Sequence, residues 1–276
     1  MNVALAARRS YRAELIKLWR PSTAVAMGLL AALSVLSTVL VISLADTDGP
    51  AGPAPGSGNG PAGFDVTTGQ LAAASGIARG FTGGATFTGL LIFLVCAIAI
   101  TLEYGQGTLR TLFLRVPNRR GWLAGRLAVT LTLVALALVA ALVLSVAVAV
   151  AVAGIRGIDT SAWWGTEGVR TLASGYLNAL LAAAFFAVLG TVLGLVVRST
   201  ALTLAIGVAW TFPIEHIVQA SWSGATRVFP GLVFDTISQG GVVDASYGPA
   251  LLLGIGYVLV AAAVGTVLLT RRDVTV

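Results

Sequence analysis

Charge is absent from six long stretches of this sequence: residues 21–45, 80–102, 127–155, 171–197, 199–214 and 245–270. Five of them have at least 23 residues. At about 1.5 Å per helical residue, each of those five reaches across a hydrocarbon core about 30 Å thick. A chain placed in hydrocarbon must satisfy its backbone hydrogen bonds internally, so such stretches fold as helices. Only 10% of the 276 residues are charged and 57% are hydrophobic, a balance that excludes a water-soluble domain. The expectation is an all-α integral membrane protein, one transmembrane domain over 1–276 with six transmembrane helices. The stretch 199–214 has 16 residues, and Pro213, Glu215 and His216 interrupt its far end.

The segments between the spans differ in kind. Residues 1–20 carry Arg8, Arg9, Arg12, Lys17 and Arg20, with Tyr11, Leu15, Leu18 and Trp19 on one helical face. This pattern describes an amphipathic helix lying in the interface, with Trp19 as an aromatic anchor before Pro21. A signal-peptide reading fails because the uncharged run after it, 25 residues, far exceeds an ordinary apolar core of such a signal. Residues 46–64 form a Gly/Pro-rich surface linker. Residues 215–244 alternate short apolar patches with Gly and Pro, the pattern of re-entrant or interfacial pieces buried against protein. With six spans both termini share a side. Thirteen of the 17 basic residues then fall on that side, so both termini are expected in the cytoplasm.

The most polar segment is 103–126, EYGQGTLRTLFLRVPNRRGWLAGR. Within it Leu109, Leu112, Phe113 and Val116 repeat at helical spacing and share one face. Gly105 and Gly107 break the preceding helix, Thr108 is placed to cap the new one, and Pro117 ends it. Arg110, Arg115, Arg119, Arg120 and Arg126 supply charge. A short amphipathic helix between two spans suits insertion into a partner's groove; a basic loop that simply sets topology is the competing reading. Gly121 with Gly125, and Gly190 with Gly194, are spaced for close helix contact, within one subunit or between two. Cys96 has no second cysteine to pair with and is expected to pack between helices.

Several chemistries are missing. The one lysine, Lys17, lies between Ile16 and Leu18, so the sequence has no phosphate-binding G-x-x-x-x-G-K-[ST] loop and no route to ATP hydrolysis through one. The one histidine, His216, cannot supply a paired-histidine zinc site, and no G-x-S-x-G is present. An enzyme is not expected, nor a metal site, nor nucleic-acid binding, because the basic surplus is distributed as topology requires. Glu215 and His216 are the ionisable residues next to a span, and they are candidates for a gate or proton relay. Their polar surroundings place them near the outer interface, hydrated.

The central segment resembles the loop between the second and third spans of the type-2 ABC transporter permeases, of the form E-x-x-x-G-T-L-R followed by a basic, proline-containing turn. The matching residues are Glu103, Gly107, Thr108, Leu109 and Arg110, and RAELIKLWR over Arg12–Arg20 is similar to that family's elbow helix. The resemblance implies a type V exporter: a homodimer, or a pair with a close homologue, joined to two separate ATPase subunits that bind ATP and magnesium. Residues Glu103 to Val116, including Leu112, Phe113 and Arg115, would then form the coupling helix. Arg12, Glu14, Lys17 and Trp19 would belong to the elbow. Phe87, Phe93, Trp210 and Phe212, on the second and fifth spans, are the aromatic residues such a resemblance places along a substrate path. The implied activity is export of a hydrophobic or amphipathic molecule across the cell membrane, as in drug and antibiotic exporters. The alternatives are an ion-gradient-driven secondary carrier or channel, and a membrane scaffold that only recruits a partner.

Overall fold

The computed structural model describes residues 3–18, 21–46, 66–115 and 118–271. Trp19, Arg20, most of the 46–64 linker, Val116 and Pro117 lie outside them, as do the side chains of Lys17, Arg115 and Phe212. All regular structure among the described residues is helical. In order the helices are α1 (Val3–Leu18), α2 (Pro21–Ser43), α3 (Thr68–Ala72), α4 (Gly76–Gly83), α5 (Ala85–Gly105) and α6 (Thr108–Arg115). They continue as α7 (Arg119–Ile155), α8 (Thr166–Val197), α9 (Thr200–Ala209), α10 (Glu215–Ser221), α11 (Pro230–Ser238) and α12 (Tyr247–Arg271). Among the described residues five helical segments are long and apolar enough to cross a membrane: α2, α4 with α5, α7, α8 and α12. The protein is membrane-embedded and all-α.

The helices overrun the uncharged stretches. α7 begins at Arg119 rather than at residue 127, and α8 at Thr166 rather than 171. Helix continues through all three arginines: Arg126 pairs inside the bundle, Arg119 donates to the Leu269 carbonyl, and Arg120 is exposed at the helix end. Residues 103–126 are therefore not one loop. They comprise the last turn of α5, a two-residue link, α6, and the first two turns of α7. Gly107 sits at φ +66°, a left-handed conformation that glycine adopts at little cost. Thr108 is not the cap: its hydroxyl donates to the Glu103 carbonyl at 3.1 Å, while the Thr111 amide bonds to the Gly107 carbonyl.

Close contacts between helices use glycine where two backbones meet. A Cβ on Gly190 of α8 would stand 2.2 Å from the Phe93 carbonyl oxygen of α5, and one on Gly125 of α7 would stand 2.5 Å from the Ala7 carbonyl oxygen of α1. Gly125 and Gly190 thus serve packing within the chain. Cys96 is buried in the cluster formed by α2, α5, α7 and α8, as its sequence context implies.

α7 has 37 residues, about 55 Å of helix, more than a hydrocarbon core requires. Its far end and that of α8 hold a cap of α3, part of α4 and a 3-10 turn over Ser161–Trp164. Trp163 is buried there, and its indole donates to the Leu71 carbonyl at 2.7 Å. The Ser161 amide and hydroxyl both donate to Asp159 and hold its carboxyl below the usual range. Arg156 donates to the carbonyls of Ile42, Ser43 and Ala45, supplying a cation where the end of α2 leaves acceptors unsatisfied. Asp46 and Thr67 exchange backbone hydrogen bonds through Val66 and Thr68, which ties together the two ends of residues 47–65.

The stretch 199–214 is not a single α-helix. α9 ends at Ala209, and a wider π turn over Trp210–Ile214 contains Pro213 before α10 resumes at Glu215. Proline has no N–H to give the ladder, and a local π turn accommodates that loss without ending the helix. α11, which follows, is buried over Gly231–Ser238 against α8 and α12.

Candidate functional site

Arg126 is the hub of one end of the bundle. It is 5% exposed, and its Nη1 donates to Glu103 Oε1 at 2.7 Å and to Glu14 Oε2 at 3.1 Å. Trp122, one turn earlier on α7, donates its indole N–H to Glu14 Oε1 at 3.3 Å. Three elements meet here: α1 through Glu14, the end of α5 through Glu103, and the start of α7. Buried charges are tolerated when paired and hydrogen-bonded, and removing one partner of a buried pair costs about 3–5 kcal/mol. The sequence shows Glu103 and Arg126 only as members of a polar segment. The Glu14 contact follows from Trp122 and Arg126 lying four residues apart on α7, which Gly125 brings close to α1, while Glu103 reaches the same guanidinium from α5.

α6 lies over this hub. Leu109 and Phe113 are buried with Ile100, Trp122, Leu195 and Leu269, and Leu112 is partly buried beside them. The Phe113 ring meets Trp122 edge-on at 5.2 Å, and the Arg119 guanidinium lies 5.3 Å from its centre. The apolar face expected to enter a partner's groove is thus packed against the protein's own bundle. What α6 leaves exposed is Gly107, Thr108, Arg110, Thr111 and Leu114, the last 80% exposed. Arg12 is likewise exposed on α1, while Glu14 faces inward.

Between α2, α5 and α7 runs an apolar groove of about 310 Å³, with Met27, Leu30, Val95 and Val134 on its walls and Arg126 at one end. None of Phe87, Phe93 and Trp210 lines it. Phe93 is buried in the core with Phe186 and Phe234, Phe87 is partly exposed elsewhere on α5, and Trp210 lies 6.0 Å from Phe229.

Glu215 corrects an expectation. It is 0% exposed, so it is not hydrated; His216 beside it is half-buried. Glu215 Oε2 accepts from the Leu232 amide at 3.0 Å, in the first turn of α11. A Cβ on Gly231 would stand 2.4 Å from that oxygen. Phe229, the residue before α11, offers no side-chain cap, and the carboxylate fills that role from a distant helix. Sequence reasoning missed Glu14, Trp122 and Arg126 as one unit and missed Asp235, which is buried one turn into α11. Among the described residues no group of three His, Cys, Asp or Glu side chains is placed to hold a metal ion.

A family model described as "Protein of unknown function (DUF2705)" matches residues 67–275. No curated protein matches the chain.

Proposed function

The chain belongs to the DUF2705 family, whose function is unknown, and we propose that it is the membrane-spanning permease subunit of an ATP-binding cassette exporter. The observation that carries this reading is the way α6 is mounted. A short helix between two long spans is anchored by Leu109 and Phe113 and presents Arg110, Thr111 and Leu114 outward. A helix so anchored transmits force, because its buried face ties it to α5, α7 and α12. On this reading α6 is the coupling helix, and in each of the two permease copies it seats in the cleft of one of two separate ATPase subunits, which bind ATP and magnesium. α1 is the elbow, held to the coupling region through Glu14 and Arg126.

The same reading makes α9 through α10 the sixth span, broken at Pro213, and α11 a re-entrant helix. It puts both termini in the cytoplasm and pairs the chain with a second copy or close homologue. The groove beside α2, α5 and α7 suits a hydrophobic or amphipathic substrate, since about 300 Å³ is the lower range of small-molecule pockets. A gradient-driven carrier is the second reading, favoured by a buried carboxylate, Glu215, just beyond a broken helix. Its use as a helix cap supplies a structural reason for the same carboxylate.

The test is purification of a tagged copy from its native membrane. A P-loop polypeptide should accompany it in equal amount, and the complex should hydrolyse MgATP. Arg110→Glu with Leu114→Asp should detach that polypeptide while leaving thermal unfolding of the permease unchanged. A chain that purifies alone, with transport that stops when the proton gradient collapses and not when ATP is depleted, overturns the proposal in favour of the carrier.

A further inference from the structure

At the opposite end of the bundle from Arg126 lies a polar pocket of about 530 Å³, between α4, the outer part of α8, and the link from α11 to α12. Among the described residues Arg79 is its one charged lining residue; Thr82, Ser174, Asn178, Gln239 and Tyr247 are among the polar ones. Arg79 is half-buried, its Nε is shut off from solvent without a hydrogen-bond partner, and no ion pair among the described residues includes it. That nitrogen has given up water and has not been offered an acceptor in return. An oxyanion supplies what is missing, and the planar fork of arginine suits one with two adjacent oxygens.

The rest of the lining narrows the ligand. The Tyr247 hydroxyl donates to Asn178 Oδ1 at 3.0 Å. That leaves the Asn178 amide nitrogen as a second donor. The hydroxyls of Thr82 and Ser174 donate to the carbonyls of Ala78 and Thr171, each at 3.1 Å. Their oxygens therefore remain as acceptors, which call for hydroxyl donors on the ligand. Gly240, at φ +76°, keeps its backbone beside the Asn178 amide, where a Cβ would stand 3.2 Å from Nδ2.

We propose that this pocket binds the phosphate of a hydroxylated phosphate ester of the glycerophosphate class, with Arg79 and Asn178 on the phosphate and the Thr82 and Ser174 oxygens on the hydroxyls. The site does not depend on the transport reading. Two sources present this chemistry, a phosphatidylglycerol headgroup and a free glycerol phosphate, and the experiment separates them. The full chain in neutral detergent is titrated calorimetrically with sn-glycerol 3-phosphate, with glycerol as the uncharged control. In parallel, native mass spectrometry counts phosphatidylglycerol retained from mixed micelles.

One saturable equivalent of either probe is expected. Binding of the soluble ester assigns a free ligand, and retention of the lipid alone assigns a headgroup. Arg79→Gln should weaken binding at least tenfold, without lowering the unfolding temperature of the ligand-free protein. Should Arg79→Gln fail to fold, Ser174→Leu, which fills the pocket from the surface of α8, must abolish binding. Absence of saturable binding by both probes, or equal binding by Arg79→Gln or Ser174→Leu, overturns the proposal.

Discussion

Replacing Arg126 with methionine should be among the most damaging single substitutions at the α6 end of the bundle. Methionine approximates the volume of the arginine stem, so packing against Trp122 is largely kept and the charge is the chief loss. Two carboxylates, Glu14 and Glu103, then stay buried without the Nη1 that both now share. Removing one partner of a buried pair costs about 3–5 kcal/mol, and Arg126 is shared by two carboxylates, so the expected loss is at the upper part of that range. At roughly 2–4 °C per kcal/mol for a chain of this size, the unfolding midpoint should fall on the order of 10 °C or more. The assay is intrinsic-fluorescence unfolding of the purified chain in detergent. Arg120→Met, exposed nearly two turns away on the same helix, is the control, with an expected change within about 0.5 kcal/mol. Adding Glu14→Gln and Glu103→Gln to Arg126→Met should recover much of the loss, because neutral amides are cheaper to bury than carboxylates that have lost their guanidinium. A midpoint for Arg126→Met within about 3 °C of the parent, which is roughly 1 kcal/mol, would refute the buried hub. So would a triple variant no more stable than the single one.

Phe113→Ala should destabilise the protein by about 3–5 kcal/mol, the usual cost of emptying a buried aromatic site, whereas Leu114→Ala should leave the unfolding midpoint alone and weaken partner-stimulated ATP hydrolysis; equal unfolding of the two variants contradicts the burial of α6. Gly190→Ala, which pushes a Cβ toward the Phe93 carbonyl oxygen, should force α5 and α8 apart and cost about 1–3 kcal/mol, read as a lowered midpoint; an unchanged midpoint shows the helices are not in backbone contact. Glu215→Leu should cost about 1–3 kcal/mol through the uncapped α11 amides, and Glu215→Gln markedly less; similar losses in both would mean the charge rather than the cap matters. Cysteines placed at Arg120 and at Ser161 should label with an impermeant thiol reagent from opposite sides of the membrane, and labelling of both from one side would contradict the proposed topology.

The helical body is legible in the sequence because lipid leaves few alternatives: an uncharged stretch of sufficient length has to be a helix. Its ends are less legible, since that rule stops each span at the first charge. Arg119, Arg126, Glu103 and Glu167 all lie within helices, and only their three-dimensional partners or exposed ends explain why helix continues through them. The heptad-like spacing of Leu109, Leu112 and Phe113 correctly identifies one apolar face on α6. Spacing alone does not tell whether that face meets another protein or the chain's own Trp122, because both demand the same pattern. For Glu215 the obstacle is distance in sequence. Its partner amide at Leu232 lies 17 residues further on, and no local pattern announces a cap delivered from another helix.

The backbone pairing of Asp46 with Thr67 gives this protein a socket. Chain enters at Asp46 and leaves near Thr67, and both points are fastened to the cap formed by α2, α4 and α7. For a chain segment joining two fixed points, doubling the length costs only about 0.6 kcal/mol more in closure entropy. The Asp46–Thr67 clasp thus holds two points of the cap at one spacing, and the entropic penalty for the length of chain that joins them is small beside the contacts that fix the cap itself.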